Sequence, residues 1–412
     1  MNLKEKKYLT KLINKYQIKD SSKYLLSPNS FSNEDIICGI EILLSKKITM
    51  SNLTKKFEHA FAKYIGAKYA LMVNSGSSAN LLSTFALVNP LKKNKLKRGD
   101  ECLIPSLCWS TSLWPIVQAG LVPKFVDISP NTLNISIEEI EKKINKKTKA
   151  IMAVHVLGNS TNMDMLKNIV NKNKLYLIED TCESLGSKYG NKFLGNFGNF
   201  GTYSFYYSHQ ITSGEGGMIT CNDKDDYNII HSLRAHGWDR GLKNNKNNKN
   251  NFNFINSGFN VRPSEISAAI GYSQFKKLNK FKKVRFSNRN RIISSLKNSN
   301  RWKNQFTFID PSKKLQPSWF GLPILINKEF LSKKTKFLQY LNKNGIETRP
   351  IISGNFINQK SIKLYNLNPN KAKFKGAQEI ENRGFFIGIH IDSISDKKLL
   401  FLRDKLLQIN EI

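Results

Sequence analysis

No stretch of this chain approaches the ~18 consecutive apolar residues that a membrane span needs, and its start, MNLKEKKYLTKLINKYQ, has no apolar signal core. The expectation is therefore a cytoplasmic protein with no membrane span. Cysteine is scarce. Cys38, Cys102, Cys108, Cys182 and Cys221 show no CxxC spacing and are too few for a secreted disulfide scaffold, so reduced and buried thiols are expected. None of the six histidines falls in an HExxH or other metal pattern, and no metal is expected. Acid is also short, with 31 Asp plus Glu against 65 Lys plus Arg, a net charge of +34. An excess of that size suits a polyphosphate partner. The lysines, however, are spread along the whole chain among many Asn and Ile, as compositional drift produces, and no recognition motif accompanies them. A nucleic-acid partner is not expected, although a basic field favours an anionic substrate.

What the chain does have is enough apolar residue for a large core. With 412 residues, 40% of them hydrophobic and 11% aromatic, it should form a globular protein of two domains. Seven strand-length runs recur between amphipathic stretches: YALMV (69–73), ECLIP (101–105), PKFVDI (123–128), AIMAVHV (150–156), LYLIED (175–180), TYSFYY (202–207) and GGMITC (216–221). Such alternation predicts an α/β fold with a large, mainly parallel sheet covered by helices on both faces. SANLLSTFALVNPL and SIEEIEKKINKK are helix candidates between the runs, the second preceded by Thr132, Asn134 and Ser136 and carrying acids in its first turn. Residues 31–285 are assigned to this large domain. GLKNNKNNKNNFN (241–253) is too polar and simple to pack and reads as a surface loop within it. Residues 286–412 carry WFGLPILI, FLSKKTKFLQYLNKNG, IETRPII, GFFIGIHI and DKKLLFLRDKLLQI, the pattern of a smaller α+β domain. Residues 1–30 are expected to be an arm that folds over a neighbour.

Several residues stand where chemistry is plausible, and each has an ordinary structural reading beside the functional one. Gly76, Ser77 and Ser78 lie between a strand and a helix, where free N–H groups and the helix dipole receive a phosphate; a Gly-Ser turn is also simply a good cap. Asp180 ends a buried strand in LIEDTCES and needs a partner, either a cationic ring nitrogen or a structural one. Glu183, three residues on, faces the same choice. Trp109 in PSLCWSTSLWP offers a flat surface for an aromatic ring, though a tryptophan is as readily core. Ser204 opens SFYYSHQITSGEGGMI with a hydroxyl able to donate to phosphate, although a serine near a strand is commonplace. Arg349 in GIETRP and Trp319 in SWFGLP are substrate-binding candidates in the smaller domain; a solvated surface arginine is the plain alternative.

NSGSSAN, PSLCW, LIEDTCES, SFYYSH…GEGGMI, LRAHGW and GFNVRPSEISAAIG…Q follow one another in the order found in the DegT/StrS sugar aminotransferases, a family of fold-type I pyridoxal-phosphate (PLP) enzymes, and the chain resembles that family over roughly residues 30–400. The resemblance implies that Gly76, Ser77 and Ser204 contact the cofactor phosphate, that Trp109 stacks on its ring and that Asp180 pairs with the ring nitrogen. It also implies a homodimer with a shared active site, in which Asn260 of GFNVRP reaches the phosphate across the interface.

The departure is His209, which stands five residues after Ser204 where most members have the lysine that holds PLP as an imine. Imidazole cannot form that bond. The cofactor, PLP or its amine form pyridoxamine phosphate (PMP), should then sit uncovalently, leaving His209 free as an acid/base, a task suited to an imidazole titrating near pH 7. Histidine here is similar to the branch that removes the carbon-3 hydroxyl of nucleotide-linked 4-keto-6-deoxy sugars for surface-polysaccharide synthesis. Gln210 stands where a second histidine is usual. Only Cys221 lies downstream of His209, so no four-cysteine iron–sulfur cluster is expected, and an amino donor such as glutamate should regenerate PMP. Glu215 is a candidate for orienting the histidine loop, and His236 has no assigned role. Two rival readings are an ordinary nucleotide-sugar aminotransferase and a catalytically silent binding protein that has lost the lysine.

Overall fold

A computed structural model describes residues 1–16, 23–27, 31–239, 242 and 252–412. All seven apolar runs form strands of one sheet: β1 Tyr69–Val73, β2 Glu101–Pro105, β3 Val122–Val126, β4 Thr148–Val154, β5 Tyr176–Asp180, β6 Phe200–Ser204 and β7 Gly217–Cys221. Their spatial order is β1-β7-β6-β5-β4-β2-β3. β7 runs antiparallel to both of its neighbours, and the remaining pairs are parallel. The strands read as unbroken apolar runs because both faces are covered: Leu71, Val73, Ile104, Met152 and Ile178 face one core cluster, while Leu103, Ile151 and Leu177 face another. Burying each such side chain is worth about 1.5–3 kcal/mol, so the sheet is the stiffest platform the chain offers.

Helices α1, Leu3–Tyr16, and α2, Asn33–Ser45, precede the sheet, and the helices between the strands begin where the sequence supplies caps. Helix α4, Gly76–Leu87, follows β1 and starts at Ser75, whose hydroxyl accepts from Ser78 N at 3.0 Å. Ile137–Lys143 starts at Ser136, which accepts from Glu139 N at 3.2 Å. Helix α3, Asn52–Ile65, has no side-chain cap of its own. The buried Glu265 serves instead, accepting from Ser51 N at 2.7 Å and Leu53 N at 2.6 Å.

The smaller unit is a four-stranded antiparallel sheet in the order Phe306–Phe308, Gly321–Ile326, Gly384–Gly388, Thr348–Arg349. Phe306–Phe308 has no counterpart among the expected runs, and IETRPII yields only the two residues Thr348–Arg349. The expected boundary at 285/286 falls inside a single 33-residue helix, Glu265–Lys297, which packs on Asn33–Ser45 at one end and on the C-terminal Asp396–Leu407 at the other. The 241–253 loop lies outside the described residues except for 242, 252 and 253.

Within the N-terminal segment the buried Tyr24 ring is held by its own chain: Tyr24 N donates to Gly345 O at 2.7 Å, its hydroxyl donates to Gly388 O at 3.0 Å, and its ring stacks on His390 at 4.3 Å. No helix among the described residues is long and apolar enough to cross a membrane.

Candidate functional site

The carboxyl ends of β1, β2, β5 and β6 open on one side of the sheet, the usual place for a ligand in an open α/β fold. Gly76 starts α4 directly against the end of β6. A Cβ added there would stand 2.6 Å from Ser204 Cβ and 2.9 Å from Cys182 Sγ, so only glycine permits this approach. Gly217 performs the same task from β7, where a Cβ would fall 2.4 Å from the Ser75 carbonyl carbon. The start of α4 and the Ser204 side chain are thereby brought close together, an arrangement suited to an anion. Ser77 Oγ donates to Thr111 Oγ1 at 3.1 Å, which ties this helix start to that of α5, Ser110–Gln118. Trp109 is the residue before α5, and its ring is 56% exposed, free to cover a ligand.

Asp180 lies at the floor of the same opening. Its Oδ2 accepts from Asn80 Nδ2 at 2.8 Å and Ser112 Oγ at 2.7 Å, and its Oδ1 accepts from Cys182 N at 3.2 Å. Three neutral donors orient the carboxylate without neutralising it, and no lysine or arginine pairs with it among the described residues. A buried carboxylate so held is matched to a cationic ring nitrogen. The residue before it, Glu179, is consumed structurally: it accepts from Gly195, Phe197 and Gly198 N–H groups and meets His155 Nε2 at 3.1 Å.

Glu183 turns its Oε2 to Leu157 N at 3.0 Å. Burial pushes its carboxyl up to about 7, with the Asp180 charge adding to the rise and the Leu157 N–H opposing it. The group thus sits near half-protonation at neutral pH.

His209 follows β6 in a tight turn, its N–H donating to Tyr206 O at 3.0 Å. Phe320 meets the imidazole edge-on, with ring centroids 5.0 Å apart, and Tyr206 does so from another side at 5.9 Å. Its Nδ1 is buried with no hydrogen-bond partner. Burial, aided by the Arg285 guanidinium, pushes the imidazole down to about 3. That shift favours the neutral form of the ring over the cation.

The remaining candidates scatter. Trp319 is 1% exposed, lies in the core of the smaller unit and has the Arg289 guanidinium 4.5 Å over its ring, so it cannot touch a substrate. The extended chain alternates sides here, and Phe320 is the residue that faces the site. Arg349 is exposed at the edge of the smaller sheet and pairs with Glu347 at 2.7 Å. Asn260 is exposed, its Oδ1 accepting from Arg262 Nε at 3.1 Å; the next residue, Val261, accepts from Asn74 N at 3.0 Å, which places this segment beside the Gly76 turn of its own chain. Glu215 is exposed and His236 occupies a left-handed turn with φ 62°, neither of them contacting His209 among the described residues. Gln210 is buried, and its amide donates to Glu183 O and to Ser318 O. Asn80, Ser112 and Phe320 complete the site and escaped the sequence reading. Asn80 and Ser112 fall inside quoted segments, each about one helical turn after a residue that was noticed, and that spacing was the available signal.

The five cysteines are unpaired, and no group of three or more His, Cys, Asp or Glu able to hold a metal occurs among the described residues.

The model of the DegT/DnrJ/EryC1/StrS aminotransferase family matches residues 32–398. The chain is 39% identical over 393 residues to the GDP-4-keto-6-deoxy-D-mannose 3-dehydratase of Escherichia coli O55:H7, covering 93% of this chain and 99% of that protein. It superposes on the structure of the E. coli GDP-4-keto-6-deoxy-D-mannose-3-dehydratase with bound hydrated PLP with a TM-score of 0.86 at 38% identity, over 93% of this chain and 99% of that one. A structure of GDP-4-keto-6-deoxymannose-3-dehydratase with a trapped PLP-glutamate geminal diamine gives the same TM-score at 37% identity, over 93% and 100% of the two chains.

Proposed function

This chain belongs to the DegT/DnrJ/EryC1/StrS aminotransferase family, and we propose that it removes the carbon-3 hydroxyl of a nucleotide-linked 4-keto-6-deoxyhexose, most closely GDP-4-keto-6-deoxymannose, for deoxysugar and surface-polysaccharide synthesis in the cytoplasm. The cofactor is PLP in its PMP form, held without a lysine link. When bound, its ring supplies an electron sink that acidifies the adjoining hydrogens and lets a neighbouring hydroxyl depart.

The residues divide the remaining work. Gly76, Ser77 and Ser204 hold the cofactor phosphate, Trp109 covers the ring face, and Asp180 keeps the proton on the ring nitrogen. Glu183, poised near neutrality, hydrogen-bonds the ring edge or the substrate in either protonation state. His209 takes a proton from carbon and returns it to the departing hydroxyl oxygen; its neutral imidazole is the correct form for the first step. Arg349 binds the substrate's charged groups once the smaller unit closes, and Asn260 reaches the phosphate site of the other protomer in a homodimer. Glutamate serves as amino donor. No cluster is assigned, because only Cys221 follows His209 in the chain.

The observation that carries this reading is the imidazole at 209, in the turn that follows β6, where an imine-forming amine would otherwise stand. Incubation of the protein with PLP, glutamate and GDP-4-keto-6-deoxymannose should give a 3-deoxy keto sugar and ammonia by mass spectrometry. A product bearing an amino group instead would identify an aminotransferase, and a protein that binds neither cofactor form would be the silent relative. A panel of GDP- and CDP-linked keto sugars settles the nucleotide.

A further inference from the structure

We infer that Gln210 is a positioning residue for His209, a clasp that fixes Phe320 against the imidazole by joining two loops from opposite sides of the site. This inference rests on the proposed role of His209 as the base.

Gln210 is 1% exposed, whereas its neighbour His209 is half-buried. Its side-chain amide donates to two backbone carbonyls, Glu183 O and, at 3.2 Å, Ser318 O. A primary amide is suited to this because one nitrogen carries two N–H donors; a neutral imidazole, the residue more usual here, has one. The carbonyl at 183 belongs to the turn after β5, and that at 318 to the segment entering the smaller sheet.

The two carbonyls are held at fixed separation by a second layer. Leu157 N donates to Glu183 Oε2 at 3.0 Å, while Leu157 O accepts from Phe320 N at 3.2 Å. Ser187 Oγ donates to Gly158 O at 2.9 Å and accepts from Ser318 N at 2.8 Å. Gly158 has φ 98°, and a Cβ there would lie 2.6 Å from Ser318 O, so the Ser318 carbonyl is packed between Gly158 and Gln210 with no room to turn. Phe320 lies two residues beyond that pinned carbonyl. The closed path Gln210–Ser318–Phe320–His209 therefore returns to the residue adjoining its start, and it sets how the imidazole edge is presented. Arg285 Nη2, donating to His209 O at 3.4 Å, steadies the backbone of the same turn. Small errors in the placement of a base are costly to turnover while leaving binding largely intact.

The test is Gln210→Met, which retains length and volume but donates no hydrogen bond. Expected results are a kcat lower by about tenfold to a hundredfold with KM for the keto sugar and PLP affinity within about threefold of wild type. In the cofactor-free chain, peptide-resolved modification by diethyl pyrocarbonate should be severalfold faster at His209 and unchanged at the exposed His59 and His236. In a His209→Asn background the added Gln210→Met should change residual turnover by less than about twofold, because both lesions act through one group. Phe320→Leu, at a half-buried position, should reproduce the kcat loss and the faster labelling if Gln210→Met does not fold. Wild-type kcat and wild-type labelling in both variants would overturn the clasp. So would a parallel fall of kcat, PLP affinity and melting temperature, the signature of general loosening. Failure of the wild type itself to make a deoxysugar would instead remove the parent reading, and the labelling arm, which needs no turnover, would still decide whether Gln210 governs access to His209.

Discussion

Asn80 donates its side-chain N–H to Asp180 Oδ2 at 2.8 Å while its own oxygen accepts from Thr202 Oγ1 at 2.6 Å. The amide is wedged between the second turn of α4 and β6, so the helix that offers its N-terminus to a phosphate also aims the carboxylate intended for the ring nitrogen. In the proposed site both ends of the cofactor would be gauged by this one helix. Asn80→Ala removes one of three hydrogen bonds to a charged acceptor, worth about 1.5–3 kcal/mol. PLP affinity measured by fluorescence titration should fall on the order of tenfold to a hundredfold. Asn80→Asp should be worse still, since a second carboxylate beside Asp180 repels it.

Glu183 predicts a stability difference with a definite sign. Its carboxyl ionises at about 7 in the folded chain and at about 4.5 when exposed. Between those values the folded state binds more protons than the unfolded one, so this group makes the protein less stable as pH rises from about 4.5 to about 7. Glu183→Gln keeps an acceptor for Leu157 N–H and deletes the titration. Urea denaturation of the cofactor-free chain at about pH 5 and about pH 8 should show the glutamine variant gaining on wild type toward the higher pH. A constant difference across that range would mean that the carboxyl ionises normally.

The seven strands of the large sheet were legible because burial on both faces leaves a plain apolar signature, and Asp180 and His209 drew attention because the first ends such a run and the second follows one. What could not be read depends on contacts far apart in sequence. Trp319 resembled a ligand contact until Arg289, thirty residues upstream on the long helix, closed over it. Phe320, the neighbour that faces the imidazole, is distinguished only by which side of an extended segment meets the site. Nothing local to Tyr24 shows that Gly345 and Gly388 will receive its polar groups. The long helix Glu265–Lys297 runs through the expected boundary at 285/286, and its buried residues are shared between two core clusters.

His209 should be irreplaceable for the chemistry and dispensable for binding. His209→Asn is expected to lower turnover at least a thousandfold, about 4 kcal/mol of barrier, with PMP affinity within about threefold of wild type. Because burial holds the folded imidazole at about 3, below its ordinary 6.5, the unfolded chain binds more protons between those values and wild type loses stability as pH falls through them. The asparagine variant escapes that loss, so its advantage in melting temperature should grow from about pH 7 to about pH 4. His209→Lys should create a visible absorbance band that borohydride reduction fixes, adding the cofactor's mass to the peptide containing residue 209.

Asn260 separates a shared site from a self-contained one. It is exposed, as are Trp109, Tyr206 and Tyr207, a cluster of large side chains around the opening that a second protomer would cover. Asn260→Ala and His209→Asn should each be strongly impaired alone. If Asn260 serves the partner's site, a mixed dimer holds one site with both lesions and one with neither. Random association makes about half of the dimers mixed, so unfolding and refolding the two variants together at equal concentration should restore about a quarter of wild-type activity. If Asn260 instead serves the site of its own chain, whose Asn74 is already bonded to Val261, each site of the mixed dimer carries one lesion and no activity returns. A monomer gives the same null result, and sedimentation of the wild type distinguishes these two failures.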